Sequence, residues 1–125
     1  MQHEGNILVV DDDQPILNLI TEVLMDEGYT VRTVLTPVDA HLLIDEQCPD
    51  LILCDLHLPS KNGDELAREI KNNRLIDIPF ILMTADVRAA LGLSRDCIDF
   101  FLPKPFDLDE LIDCVAKHIR RNCTA

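Results

Sequence analysis

No apolar run in the chain approaches the roughly 20 residues that a membrane-spanning helix requires. The opening, Met1 to Gly5, is polar and resembles no signal peptide. Both absences lead to the expectation of a cytoplasmic protein that does not touch a membrane. Basic residues are scarce, 11 against 23 acidic ones, for a formal net charge of -12. Such a surface repels phosphate backbones and anionic lipids, which argues against direct binding to nucleic acid or a membrane. The five cysteines, Cys48, Cys54, Cys97, Cys114 and Cys123, are odd in number and show no CxxC spacing. Neither a disulfide framework nor a zinc site is expected, and the thiols read as buried or incidental residues of a reducing compartment. Repeats, low-complexity tracts and internal linkers are absent too. At 125 residues, 47% of them hydrophobic, the chain suits a single domain, 1–125, with a core of about 6–121.

What is present is alternation. Ile7, Leu8, Val9 and Val10 form an apolar run that stops at Asp11, Asp12 and Asp13, which reads as a buried strand ending on acids. Asp13 or Gln14 can cap a helix with Pro15 in its first turn, an apolar face of Ile16, Leu17, Ile20, Val23 and Leu24, and a stop at Gly28. Tyr29 to Val34 alternates as a strand. Thr36 and Pro37 open a helix expected to turn Val38, Leu42 and Leu43 inward and His41 outward. Leu51 to Cys54 is a second buried run ending on a carboxylate, Asp55, followed by loop residues to Gly63. The next helix buries Leu66, Ala67 and Ile70. Pro79 to Met83 is a strand running into Thr84, Ala85 and Asp86, and Gly92 and Ser94 interrupt the helix after it. Ile98 to Leu102 is a fifth strand, closed by Pro103, Lys104 and Pro105. Asp107 caps a last helix with a stripe of Leu108, Leu111, Ile112, Val115 and Ile119 and with Lys117, His118, Arg120 and Arg121 at its negative end. Strict alternation with buried strands implies an α/β fold, a parallel sheet with helices on both faces.

In such a sheet the carboxyl ends of the strands share one edge, where ligands bind. Asp55 alone would be a solvated strand-end acid, but that edge also gathers Asp11, Asp12, Thr84 and Lys104. At an effective dielectric of about 20, two like charges 4 Å apart cost roughly 4 kcal/mol, so three carboxylates need a neutralising partner. A hard divalent cation with oxygen ligands serves, Mg²⁺ first and Mn²⁺ as an alternative. Acids, hydroxyl and amine together describe phosphoryl transfer to a carboxylate nucleophile.

The ordered set VVDDD, LILCDLHLP with Gly63, ILMTAD and FFLPKPF resembles the receiver domain of two-component response regulators over nearly the whole chain. The resemblance implies a flavodoxin-like fold of five βα units with strand order 2-1-3-4-5. It implies that Asp55 accepts a phosphoryl group from a histidine kinase or a histidine phosphotransfer protein, and that the chain catalyses only its own phosphorylation and dephosphorylation. Asp12 and Asp55 would bind Mg²⁺ directly, Asp11 through water, and His57 by its backbone carbonyl. Thr84, with the amides near Leu56 and Ala85, would hold the phosphoryl group and Lys104 would pair with it, next to a cis Lys104–Pro105 bond. Thr84 and Phe101 would form the switch. The output face would be Val87–Cys97, Phe101 and Asp107–Arg120, open to a downstream protein, an output domain or a second copy of the chain. His57 and Asp86, each two residues past a key position, either tune dephosphorylation or are solvated loop side chains.

Other roles are plainer. Cys54 reads as core filler, Phe80, Phe100 and Phe106 as core or hinge packing, and His3, His41 and His118 as solvent-facing. Two rival readings remain open at this point. One is a phosphatase of the haloacid dehalogenase type, which would need an acid where His57 stands. The other is an interaction module that keeps the fold without the chemistry.

Overall fold

Five strands, β1 (Asn6–Val10), β2 (Thr30–Val34), β3 (Leu51–Asp55), β4 (Phe80–Thr84) and β5 (Phe100–Pro103), alternate with helices α1 (Gln14–Asp26), α2 (Pro37–Glu46), α3 (Gly63–Asn73), α4 (Val87–Leu91) and α5 (Leu108–His118). This computed structural model describes residues 4–73, 77–93 and 96–119, with Val87 described by its backbone. His3, Ser94, Arg120, Arg121 and Cys123 lie outside those residues. All strand pairs are parallel and the order is β2-β1-β3-β4-β5, the expected flavodoxin-like arrangement.

Parallel strands need crossovers, and the crossover helices cover both faces of the sheet. Side chains alternate between the two. Ile7, Val9, Leu51, Leu53, Ile81 and Met83 pack with Leu17, Ile20 and Leu24 of α1 and Leu111 and Val115 of α5. Leu8, Val10, Ile52, Cys54, Phe80 and Leu82 pack with Ala40 and Ile44 of α2 and Leu66, Ala67 and Ile70 of α3. Burying each such side chain contributes roughly 1.5–3 kcal/mol. A slip of one residue would exchange the two faces of a strand, but because both faces are apolar, helix caps and loop geometry must help set the register. Asp13 accepts a hydrogen bond from the Ile16 amide, Thr36 from Asp39, and Asp107 forms a reciprocal capping box with Glu110. Gly28, just past the Glu27 cap, takes φ +102°, a region open to glycine, and lets α1 turn into β2.

The opposite, amino-terminal edge carries a device that the sequence did not announce. Asp50 Oδ2 accepts a hydrogen bond from the Asn6 amide at 2.8 Å, and Asp99 Oδ2 accepts one from the Phe80 amide at 2.8 Å. Each carboxylate satisfies the first amide of a strand.

Several side chains sit differently from expectation. In α2 the buried residues are Pro37, Ala40 and Ile44, while Val38 and Leu42 are 64% and 59% exposed. Starting at Pro37, steps of three and four define a face one residue away from the expected one. His41 on this helix, rather than facing solvent alone, meets Glu69 of α3 at 2.8 Å. His118 Nδ1 lies 2.8 Å from the Cys114 carbonyl oxygen and its ring is tilted against Phe100, which is half-exposed rather than core. Cys114 takes an inward position on α5 while Leu108 is exposed. Cys54, Cys97 and Cys114 are free thiols.

Candidate functional site

The site is assembled by strand register. Val10 lies beside Cys54, Asp55 beside Met83, and Thr84 beside Pro103. The residues at or just after those ends, Asp11, Asp55, Thr84 and Lys104, therefore meet on one edge. Backbone bonding continues past the strands: the Asp11 amide donates to Val34 at 3.2 Å, Leu56 to Met83 at 2.9 Å and Lys104 to Thr84 at 2.8 Å. These three bonds extend the sheet past the ends of its strands. The Leu56 amide is thereby held within the extension of the sheet. The Lys104–Pro105 peptide bond is cis.

Charge at the edge is dominated by acids. Lys104 Nζ donates to Asp55 Oδ1 at 2.8 Å and to Asp11 Oδ2 at 3.3 Å. Asp11 is 1% exposed. Burial pushes its carboxyl above the usual range, although the hydrogen bond from the Asp13 amide and the Lys104 charge act in the other direction. Burial by itself lowers the Lys104 ammonium, but its hydrogen bond to Asp55 and the charges of Asp11 and Asp55 outweigh that and raise it. Asp12 is exposed. One oxygen from each of Asp11, Asp12 and Asp55 can be chosen so that all lie within 4.8 Å of one another. Three carboxylates against one ammonium leave a surplus of negative charge, and hard oxygen donors at this spacing fit a divalent cation that retains some of its waters.

The hydroxyl side of the site is held by a short turn. Thr84 is buried, and its Oγ1 accepts a hydrogen bond from the Asp86 amide at 2.9 Å. Asp86 is neither an idle loop residue nor directed at the acids: its Oδ1 caps α4 by accepting from the Ala89 amide at 3.0 Å. His57 is exposed on the loop after Asp55. Phe101 is half-buried, and it shares with Thr84, Ala90, Leu91 and Phe100 the lining of a cavity of about 250 Å³. Another recess, of about 290 Å³, lies beside Lys104 between Ile16, Leu19, Phe106 and Leu108.

Two neighbours of Asp55 support it from behind. A Cβ at Gly63 would come within 2.4 Å of the Asp55 carbonyl oxygen and 2.7 Å of Leu82 Cδ1. Glycine is therefore what lets α3 start directly against the strand that carries Asp55. The sequence marked Gly63 as part of the motif set and as the start of a helix, but not this close approach. The fully buried Cys54 beside it has a thiol held well above the usual range, by burial first and then by the charge of Asp55, which fits a filler and not a nucleophile.

Comparison with known proteins agrees with this architecture. The profile of the response regulator receiver domain matches residues 7–116. The response regulator TrrA of Thermotoga maritima, solved with Mg²⁺ and BeF, is 34% identical, with a TM-score of 0.82 over 94% of this chain and 98% of its own. NtrX of Brucella abortus is 29% identical with a TM-score of 0.84 over 92% of this chain, which spans only 27% of the NtrX chain. A CheY-like receiver domain from Methylobacillus flagellatus, 23% identical, shares the fold with a TM-score of 0.83 over 92% of this chain and 98% of its own. With most of its length matched, the chain belongs to the response regulator receiver domain family, signalling modules that serve as phosphoacceptors in two-component systems rather than as turnover enzymes.

Proposed function

We propose that Asp55 is the phosphoacceptor of one receiver domain formed by residues 1–125, cytoplasmic in location. The observation that carries this reading is the Lys104 ammonium bonded to both Asp55 and Asp11 at an edge that also holds Thr84. The phosphodonor is a phosphohistidine of a histidine kinase or of a histidine phosphotransfer protein. An Asp55 oxygen attacks phosphorus, the phosphorus–nitrogen bond breaks, and its electron pair returns to the imidazole, which takes up a proton. The product is an acyl phosphate on Asp55. Asp12 and Asp55 would hold Mg²⁺ directly, Asp11 through water and His57 by its carbonyl, and the ion would supply neutralisation of phosphoryl charge. Mn²⁺ has the same donor preference. Lys104 moves its charge from the carboxylates to a phosphoryl oxygen. Thr84 exchanges its contact with the Asp86 amide for one with the phosphoryl group, assisted by the Ala85 amide.

The new charge, about -1.5 to -2, then drives the signal. Drawing Thr84 inward changes the lining of its shared cavity, and Phe101 follows. Moving an equilibrium from 1:99 to 99:1 takes about 5.5 kcal/mol, within reach of two charge-assisted hydrogen bonds and a repacked ring. The surface that reads the change is Val87–Cys97, Phe101 and Asp107–Arg120, offered to a downstream protein, an output domain or a second copy of the chain. His57 and the Asp86 turn set how fast water removes the phosphoryl group. The test is transfer from a phosphorylated histidine phosphotransfer protein with Mg²⁺ or with a chelator. Transfer to the wild type that needs the metal and is absent in Asp55→Asn is expected; transfer that survives the substitution refutes the assignment.

A further inference from the structure

The loop that follows Asp55, residues 56–62, is anchored in two ways. Leu56 and Leu58 are buried and the Gly63 amide donates to the Leu56 carbonyl at 2.7 Å. Farther along, the Lys61 ammonium pairs with Glu69 Oε2 on α3. The other Glu69 oxygen, Oε1, meets His41 Nε2 of α2 at 2.8 Å. One carboxylate thus bridges two elements and the loop. The three side chains are only 26–34% exposed, and the hydrogen bond from Lys61, then that from His41, holds the Glu69 carboxyl below its usual range. An isolated surface ion pair contributes little, whereas a shared carboxylate ties several groups at once. None of the three side chains is part of the acid, hydroxyl and amine set at the strand ends.

We infer that Glu69 is a positioning residue: through Lys61, and anchored on α2 by His41, it holds the loop behind Asp55 and so sets how long a phosphoryl group survives there. This rests on Asp55 being the acceptor. The loop starts at the acceptor's own backbone and carries His57, so slack at Lys61 loosens the cover over one side of the carboxylate and admits water. The distal anchor is electrostatic, which makes it reversible by exchanging charges.

The experiment loads the wild type, Glu69→Gln, Lys61→Gln and the exchange Lys61→Glu with Glu69→Lys using phosphoramidate and Mg²⁺, removes the donor and follows phosphoryl loss by intact mass. Urea midpoints and hydrogen exchange of residues 56–62 are measured in parallel. Both single variants are expected to lose the group about fivefold faster, with faster exchange in the loop. The double exchange rebuilds the pair between positions 61 and 69 but not the carboxylate that meets His41, and is expected to lose the group at least about twofold more slowly than either single variant. Lifetimes in the single variants equal to that of the wild type, or a folded double variant that stays as fast as they are, overturn the inference alone. A wild type that takes up no phosphoryl group overturns it together with the functional reading.

Discussion

Lys104 is the residue on which the site's charge balance turns, because it faces Asp11 and Asp55 together. Removing it as Lys104→Met leaves two acids without their cation, and in a chelator the variant is expected to be less stable by about 2 kcal/mol at neutral pH. Urea denaturation measures this. The Lys104 pKa is raised in the folded state, so its contribution is fully present below the unfolded value of 10.5 and is lost as pH rises through the higher folded value. Asp11 works with the opposite sign. Its folded pKa lies above 3.8, so between the two values the folded protein keeps a proton that the unfolded chain has released, and stability falls as pH rises through that window. Asp11→Asn, without divalent cation, should therefore raise the melting temperature at pH 7 by about 4 °C, for roughly 1 kcal/mol of relieved charge burial. The advantage should shrink towards pH 4 and also on adding Mg²⁺, which the wild type binds better. An equal gain at both pH values would contradict this account of Asp11.

Among the elements, α3 and α4 make contrasting glycine predictions. Gly63→Ala forces a Cβ against strand backbone, and overpacking of this kind costs about 2 kcal/mol, so a lower denaturant midpoint and slower phosphorylation are expected together. Gly92, by contrast, caps the five-residue α4 with φ -86°, and a Cβ there meets only atoms 3.7 Å away or farther. Gly92→Ala is expected to stabilise the protein by about 0.5 kcal/mol and to strengthen hydrogen-exchange protection in α4.

All ten elements could be read from apolar runs, caps and breakers, because each of those signals acts over a few residues. So could the meeting of Asp11, Asp55, Thr84 and Lys104, since parallel alternation alone puts strand ends on one edge. The phase of α2 could not. Val38 and Leu42 are as apolar as Ala40 and Ile44, and only the position of the sheet selects the face. Nor could the bridge from Lys61 to His41, or the acids Asp50 and Asp99 at the amino-terminal edge, whose partners are fixed by packing and not by spacing.

At the scale of the whole molecule, the net charge of -12 makes the folded state repel itself, and the acid edge concentrates that repulsion. Added Mg²⁺ should stabilise the wild type beyond what matched monovalent salt achieves, as expected of a ligand that binds only the folded form. Asp12→Ala should remove most of the difference in a melting experiment. The phosphatase alternative fails on family membership as well as on His57, which stands where that chemistry requires an acid. What the account claims centrally is one covalent event at one residue. The most direct measurement treats the protein with phosphoramidate and Mg²⁺, reduces the acyl phosphate with borohydride and maps the modified residue by peptide mass spectrometry. The account predicts that Asp55 is converted and that conversion is lost with chelator or in Asp55→Asn. Modification elsewhere, or none in the folded, Mg²⁺-bound wild type, would contradict it.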